Sequence, residues 1–572
     1  MKKIIIGHRG TGKSSVLRRH QSYFPQIKHF DLDVEIEKEQ RRPLADFFNE
    51  VGESEFRRVE HKVFNRLQGE NTDYVITPGA GFDVTELTDD VEVLFVTRIT
   101  DVDGRIFLNR PRLEPRLSPL DEYRKRYSLR QELFLNAADS IYYLSEGMID
   151  ADKVEKSILS DQFVVADAYY TLSKQEIKHL PRLMVLYKNI ELRSDMLSVS
   201  EIEQILQQQP GHNWLVSVRT HQPLNLADAK AVDCDYIHYS SECTILSSHT
   251  DKIQNGIKQL SSIQGKHHLK LCPLVEDFTD LVIGFHWQQE DPKNRSFLPR
   301  SLGGKWIWYR QLSKYLQKIN FVKNYTDMQD QPSSYEWLNL PQERPVQWGA
   351  VLGTPVYFSR SPLQQRAYFE AMKSFFTRID MSATELSENI LFLNQLGLSY
   401  AAVTSPLKEA LFKICDKASD QATKLYSANT LFIANGQLHC HNTDSDGFFK
   451  IVSEVGAQHS VAVWGGGGTL EMIKSALPQA HFYSSQTGEL RDLNQSKKNN
   501  YDYLIWAAPR SHKTQWPDDM MKTNHVIDLN YTDNSMGLEF ATMQKASYTS
   551  GLRMFQQQAL MQQQYWNEMR AL

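Results

Sequence analysis

Lys2-Lys3-Ile4-Ile5-Ile6-Gly7-His8-Arg9-Gly10-Thr11-Gly12-Lys13-Ser14-Ser15 decides the reading of the amino-terminal module. An apolar strand-like run meets a glycine-rich turn, and helix-forming residues follow. Glycines let backbone N–H groups curl around phosphate oxygens, and a helix start adds partial positive charge. The spacing G-x-x-x-x-G-K-S is that of a phosphate loop standing between strand and helix. Lys13 then reaches the terminal phosphates of ATP and Ser14 reaches Mg²⁺. Gly7, Gly10, Thr11, Gly12 and Ser15 complete the predicted cradle, and Asp31 is the second candidate metal ligand.

Working outward, DYVIT and VEVLFV repeat the strand pattern between polar helical stretches, which predicts a parallel sheet. LMVLY near Pro181 opens a second module. YTDMQDQPSSYEWLNLPQERP reads as a turn-rich linker before WGAVLG opens a third, in which VAVWGGGG is again strand followed by glycine turn. The Gln-rich MFQQQALMQQQYWNEM reads as a structural carboxy-terminal helix. A length of 572 residues suits several domains, predicted at 1–162, 175–325 and 345–572. The third divides into a lobe at about 345–447 plus the terminal helix, and a nucleotide lobe at about 448–545. The predicted fold class is therefore multidomain α/β: a phosphate-loop domain, a (β/α)₈-like barrel, trimmed in length, and a two-lobed unit with a Rossmann-like half.

With 41% hydrophobic and 23% charged residues, the composition excludes wholesale disorder. A net charge of −5 gives no footprint for nucleic acid. No apolar run approaches a membrane span or a signal-peptide core, so a cytoplasmic protein is expected. Five cysteines without CxxC spacing suggest neither a disulfide framework nor zinc.

Asp31-Leu32-Asp33, Gly52-Glu53, Phe56-Arg57 and Glu60 follow the phosphate loop in an order that resembles shikimate kinases. The resemblance implies that Asp33, Arg57 and Arg130 hold shikimate, together with the loop Gly79-Ala80-Gly81. In that loop the family's middle glycine is replaced by Ala80. A lid arginine is expected in RPRLEPRLSPL, with Arg116 as the candidate.

Ser359-Arg360-Ser361-Pro362, Val403-Thr404-Ser405-Pro406-Leu407-Lys408, Ser427-Ala428-Asn429-Thr430 and Asn442-Thr443-Asp444 occur in the order seen in shikimate dehydrogenases. By that resemblance Ser359, Ser361, Thr404, Asn429, Asp444 and Gln558 bind 3-dehydroshikimate, and Lys408 with Asp444 forms the polar pair at the reacting carbon. Gly465, Gly466, Gly467, Gly468 and Thr469 form the dinucleotide turn, and Ser485-Gln486-Thr487 replaces the family's adenosine-binding N-R-T. The expected cofactor is NADP(H), but the missing arginine leaves NAD(H) open. Trp506-Ala507-Ala508 stands for N-A-T and is expected to alter a wall of the nicotinamide pocket.

In the middle module, Glu191-Leu192-Arg193, Arg219, His249 and Lys270 each follow an apolar segment, the layout of a barrel's active end. The set resembles type I 3-dehydroquinate dehydratases. It implies substrate binding by Glu191, Arg193 and Arg219, a Schiff base at Lys270 and proton transfer by His249. The family's E-G-G reads Pro223-Leu224-Asn225, and its S-A-P-G-Q loop is missing. Together the modules resemble the C-terminal three domains of the pentafunctional arom protein, with 3-dehydroquinate, 3-dehydroshikimate and shikimate as consecutive substrates. Two other readings stay open: a ligand-sensing regulator resembling quinate repressors, and a chain with active outer domains around a degenerate barrel. The oligomeric state is left open, a dimer included.

Overall fold

The computed structural model describes every residue except 1, 70–71, 89, 109–111, 113, 115, 145–152, 222–224, 241, 264, 324–329, 454, 456–457, 493 and 572. Its first sheet has five parallel strands in the order Lys28–Asp31, Tyr74–Thr77, Lys2–Ile6, Glu92–Thr97, Ser140–Tyr143. Lys2–Ile6 lies at the centre, and Ile4, Ile5 and Ile6 are buried because helices cover both faces. The phosphate loop therefore emerges from the middle of the sheet's carboxyl edge, where ligands of open α/β sheets bind.

The second sheet has eight strands, all paired in parallel. Val165–Thr171, Tyr187–Arg193, Asn213–Val218, Ala231–Asp235, Ile245–Ser248, His268–Leu271 and Arg295–Phe297 follow one another in chain order, and Phe321–Val322 returns to pair with the first. This is the cyclic order of a barrel with one seam, between Arg295–Phe297 and Phe321–Val322. The trimming falls on the helices. Among the described residues, the connections on either side of Ala231–Asp235 carry no α-helix. Alternation sets the two faces. Leu192, Val216, Leu246 and Leu271 join the outer core, while Thr171, Glu191, Ser217, Asp233, Ser247 and Lys270 are buried on the opposite, inward face.

Two expectations are corrected here. Cys234 and Cys243 form a disulfide, joining a strand to the connection that follows it; no motif spacing marks such a pair. The stretch read as a linker contains the helix Ser334–Leu338, capped by Ser333 and burying Tyr335 and Trp337. Its Gln331 reaches back to Thr171 at 3.3 Å.

The third module has a six-stranded mixed sheet containing Trp348–Gly353, Phe376–Asp380, Leu398–Val403, Thr430–Ala434, Gln437–His441 and Lys417–Ala418. A five-stranded parallel sheet follows, in the order His481–Tyr483, Val461–Gly465, Asn500–Ala507, Lys522–Asp528, Ser547–Thr549. The terminal helix Leu552–Ala571 then returns to the mixed sheet, where buried Trp566 donates to the Leu431 carbonyl at 3.0 Å. Among the described residues no helix is long and apolar enough to cross a membrane.

Candidate active sites

The phosphate loop opens onto a cavity of about 800 Å³. Gly12 caps the helix Lys13–Tyr23 with φ 109°, and a Cβ there would press on the Arg98 guanidinium at 3.1 Å. Only glycine makes that approach without strain. Lys13 Nζ folds back on the Gly7 and His8 carbonyls at 2.9 and 3.1 Å. The same cavity is lined by Ser14, Ser15, Asp31, Asp33, Gly79, Ala80, Gly81, Arg57 and Arg130, so the predicted donor and acceptor residues face one space. Arg130 donates to the Gly81 carbonyl at 2.9 Å, and a Cβ on Gly81 would collide with the Arg57 guanidinium at 2.1 Å. Arg57 is held by Glu60 at 2.5 Å; burial raises the Glu60 carboxyl above its ordinary range although Arg57 opposes this.

Three predicted residues lie outside the cavity wall, and one of them, Gly7, meets Lys13 through its carbonyl. Thr11 is fully buried, and its hydroxyl donates to Asp101 at 2.8 Å instead of facing the cavity. Arg116 is exposed and outside the wall, where Arg112 stands; residues 109–111, 113 and 115 around it are not described. Sequence reading also missed Asp101. It follows the strand Glu92–Thr97 and accepts from Thr11, from the Arg98 backbone at 2.8 Å and from Arg105 Nε at 2.8 Å. Burial works against its charge, but Arg105 and these donors hold the carboxyl below the usual range. An acidic residue just past the strand beside the phosphate loop was the available signal.

In the third module, Lys408 Nζ meets Asp444 Oδ2 at 2.5 Å. Lys408 begins the helix Lys408–Ile414, and Asp444 begins Asp444–Val452. Asn429, fully buried, donates to Asp444 Oδ1 at 2.8 Å and accepts from the Thr443 backbone at 2.9 Å, fixing the carboxylate from behind. Ser359 and Ser361 hydroxyls stand 3.2 Å apart. Thr404 directly follows the strand Leu398–Val403 and is half-buried. Gln558 lies against Gly447, one turn after Asp444. The overlooked neighbour is Gln562, buried, which donates to the Asn429 carbonyl at 3.1 Å; its place one helical turn beyond Gln558 was the signal.

Gly465, Gly466 and Gly467 take φ of 96°, 122° and 45°, and the short turn Gly467–Thr469 includes Gly468. Ser485 is half-buried, while Gln486 and Thr487 are exposed, their backbone N–H groups both directed to the Ser484 hydroxyl at 3.3 Å. Trp506 departs from the expected pocket wall: it is buried among Trp464 and Phe540.

In the barrel, Asp233 is the hub. Its Oδ2 pairs with Lys270 Nζ and with Arg219 Nη2, the latter at 2.5 Å. Burial alone would raise this carboxyl, but Arg219 and Lys270 hold it far below the carboxylate range. Ser217 donates to Glu191 at 2.6 Å, as does Thr171 at 2.7 Å. Arg193 pairs with Asp195 at 2.7 Å, and His249 Nδ1 meets Asp235 at 2.6 Å. Ser217 also reaches Asp233 at 3.3 Å, so Glu191, Arg219 and Lys270 share one buried network. His249 acts on Asp233 electrostatically and borders a cavity of about 520 Å³ with Thr250, Lys252 and Lys258. The residues Pro223 and Leu224 lie outside the described residues. Asp233 was also missed; an acidic residue inside the apolar strand AVDCD is its signal.

Phosphate-loop cavity, barrel and two-lobed unit define a multidomain α/β protein. Comparison with known proteins makes this particular. The shikimate kinase family matches residues 9–140, and the shikimate dehydrogenase substrate binding domain matches residues 351–431. A shikimate dehydrogenase (NADP(+)) of Desulfitobacterium hafniense (strain Y51) is 31% identical over 133 residues, 22% of this chain and 49% of that protein. One from Acinetobacter baumannii (strain ACICU) is 26% identical over 265 residues, 39% of this chain and 95% of that protein. The chain spans about half the length of the first curated relatives it matches. A solved structure, dehydroquinate dehydratase and shikimate dehydrogenase from S. pombe AroM, covers 70% of this chain and 96% of that one, at 16% identity and TM-score 0.30.

Proposed function

We propose that the chain is a multifunctional enzyme of the shikimate pathway. Its third module reduces 3-dehydroshikimate to shikimate with a nicotinamide cofactor, and its first phosphorylates shikimate with ATP. The observation that carries this reading is the shared cavity: Lys13 of the phosphate loop and the carboxylate-binding pair Arg57 and Arg130 face one space. The shikimate hydroxyl attacks the terminal phosphorus as the bond to ADP breaks, and Lys13 offsets the charge that builds on the phosphoryl oxygens. Asp33 orients that hydroxyl. Ser14 and Asp31 supply oxygen donors in the same cavity, which suits Mg²⁺ because that ion takes few protein ligands beside phosphate.

For the dehydrogenase, the positive-φ glycines Gly465 to Gly467 leave backbone room for a dinucleotide, which supplies hydride when bound. Lys408 protonates the carbonyl oxygen as charge develops there, and Asp444, fixed by Asn429, keeps the ammonium oriented. Retention of Lys13, Lys408 and Asp444 favours an enzyme over a sensor.

For the barrel we propose dehydration of 3-dehydroquinate through Lys270. The second reading, a substrate-binding remnant, is favoured by one observation: Lys270 is already engaged by Asp233 inside the barrel. Three assays on the intact chain test the whole: ADP release with shikimate, dehydroshikimate formation from dehydroquinate, and nicotinamide oxidation with dehydroshikimate. Lys13→Ala is expected to lose the first alone; a near-normal rate would overturn the kinase assignment. Borohydride with dehydroquinate adds a substrate-derived mass at Lys270 if the dehydratase is live. No labelled lysine leaves the remnant reading.

A further inference from the structure

The segment Arg105–Leu108 of the first module is held by a loop of the third. Arg105 Nη1 pairs with the Asp533 carboxylate, and the Ile106 backbone N–H donates to the Asp533 carbonyl at 2.8 Å. Leu108 packs on the nucleotide-lobe core. On the other side the same segment presses on the phosphate loop. A Cβ on Gly10 would strike the Phe107 ring at 2.3 Å and lie 3.5 Å from Arg105 Cδ. Arg105 lines the kinase cavity, is only 2% exposed, and through Nε holds Asp101, which in turn holds Thr11.

From this geometry we propose that Asp533, contributed by the dehydrogenase lobe, is a positioning residue for the kinase: it fixes Arg105 against the phosphate loop. One wall residue of the kinase cavity is thus held from behind by another module of the same chain. The inference rests on the kinase reading of the first module. Arg105 is buried and charged, so its guanidinium needs partners for its donors. Asp101 takes Nε, Thr100 takes Nη2 at 3.1 Å, and Asp533 takes Nη1. Without Asp533 the guanidinium keeps Asp101 and Thr100 but loses its anchor on the third module, and the loop's grip on ATP loosens. The other Asp533 oxygen lies 3.6 Å from Arg360, between Ser359 and Ser361. The carboxylate therefore spans the two modules.

The test uses the intact chain with Asp533→Ala, Asp533→Asn and Asp533→Glu, read by ATP KM, shikimate KM, kcat and binding of a fluorescent ATP analogue. Asp533→Ala and Asp533→Asn are expected to raise ATP KM about tenfold, the size of one charge-assisted hydrogen bond. Shikimate KM should move less than twofold, and Asp533→Glu should restore most of the loss. Arg105→Ala combined with Asp533→Ala should be no worse than Arg105→Ala alone. The unfolding midpoint of the same samples reports that the lobe is folded; if Asp533→Ala does not fold, Asp533→Asn, of the same shape, carries the test. Additive losses, or an unchanged ATP KM in a folded variant, overturn the proposal. A wild-type chain that binds the analogue yet does not phosphorylate shikimate would defeat the kinase reading instead, and the analogue affinities would still decide the role of Asp533.

Discussion

Two lysine–aspartate pairs, built from the same atoms, sit in opposite surroundings. Lys408 and Asp444 stand at helix starts, with side chains 25% and 7% exposed; Lys270 and Asp233 lie inside the barrel at 3% and 0%. The first carboxylate has its second oxygen tied by a neutral amide, Asn429, so the ammonium has one anion and an open side. The second shares one oxygen between Lys270 and Arg219. A charge pair that keeps an open side is placed to pass a proton to substrate, whereas a doubly compensated, buried pair serves first as structure. Chemistry depends on what surrounds the pair, not on the residue types alone.

The largest effect should come from Lys408. Lys408→Ala is expected to cut dehydroshikimate reduction by about 10³–10⁴-fold, in the range of a lost general acid with its charge. The unfolding free energy should change by about 1 kcal/mol or less, because the lysine is partly solvated. An unfolding shift without loss of turnover would invert the comparison.

Lys270→Met should do the reverse. Removing Lys270 takes one of two cations from buried Asp233 while Arg219 keeps the other. Stability is therefore expected to fall by about 2 kcal/mol in denaturant unfolding, the size of a hydrogen bond to a charged group. Lys270→Met with Asp233→Leu should lose more than the single variant, because buried Arg219 then lacks its carboxylate. If the single variant unfolds like wild type, the pair is not structural and the open-site reading of Lys270 gains.

Acid sharpens the contrast further. Asp233 is depressed in the folded chain, so its contribution is present above the unfolded aspartate pKa of about 3.9 and is lost as pH falls below that toward the folded value. Between pH 5 and pH 2, wild type should lose on the order of 2 kcal/mol more than Asp233→Asn. Parallel curves for the two proteins would remove Asp233 from the acid transition.

Much of this architecture was legible in the sequence because its signals are local. The phosphate loop and the Lys408 and Asp444 motifs are short strings whose backbone demands and chemistry coincide. The residues that were missed act across distance. Asp101 is an ordinary aspartate until the strand Glu92–Thr97 sets it beside Thr11. Asp233 looks like an interruption of an apolar strand until the barrel closes it against Lys270. Cys234 and Cys243 have no motif spacing, and only the turn between strands brings them together. Trp506 replaces a polar family residue, and its alternation, apolar on both sides, was the hint that it faces the core.

The smallest effect concerns the turn Ser485-Gln486-Thr487, the exposed extreme of this series. Gln486 is exposed and holds its place through the backbone, its N–H directed to the Ser484 hydroxyl. Its side chain is therefore replaceable without disturbing the fold, unlike anything near Asp233. A glutamine offers the 2′-phosphate of NADPH no charge, whereas a guanidinium offers a bidentate fork. The wild-type chain is expected to turn over both NADPH and NADH, and Gln486→Arg to raise the NADPH-over-NADH ratio of kcat/KM by about tenfold, one charge-assisted hydrogen bond at an exposed site. The unfolding midpoint should stay put. A wild-type preference for NADPH of roughly a thousandfold, about 4 kcal/mol, would mean that another cationic group already holds the phosphate, and the substitution would then add nothing.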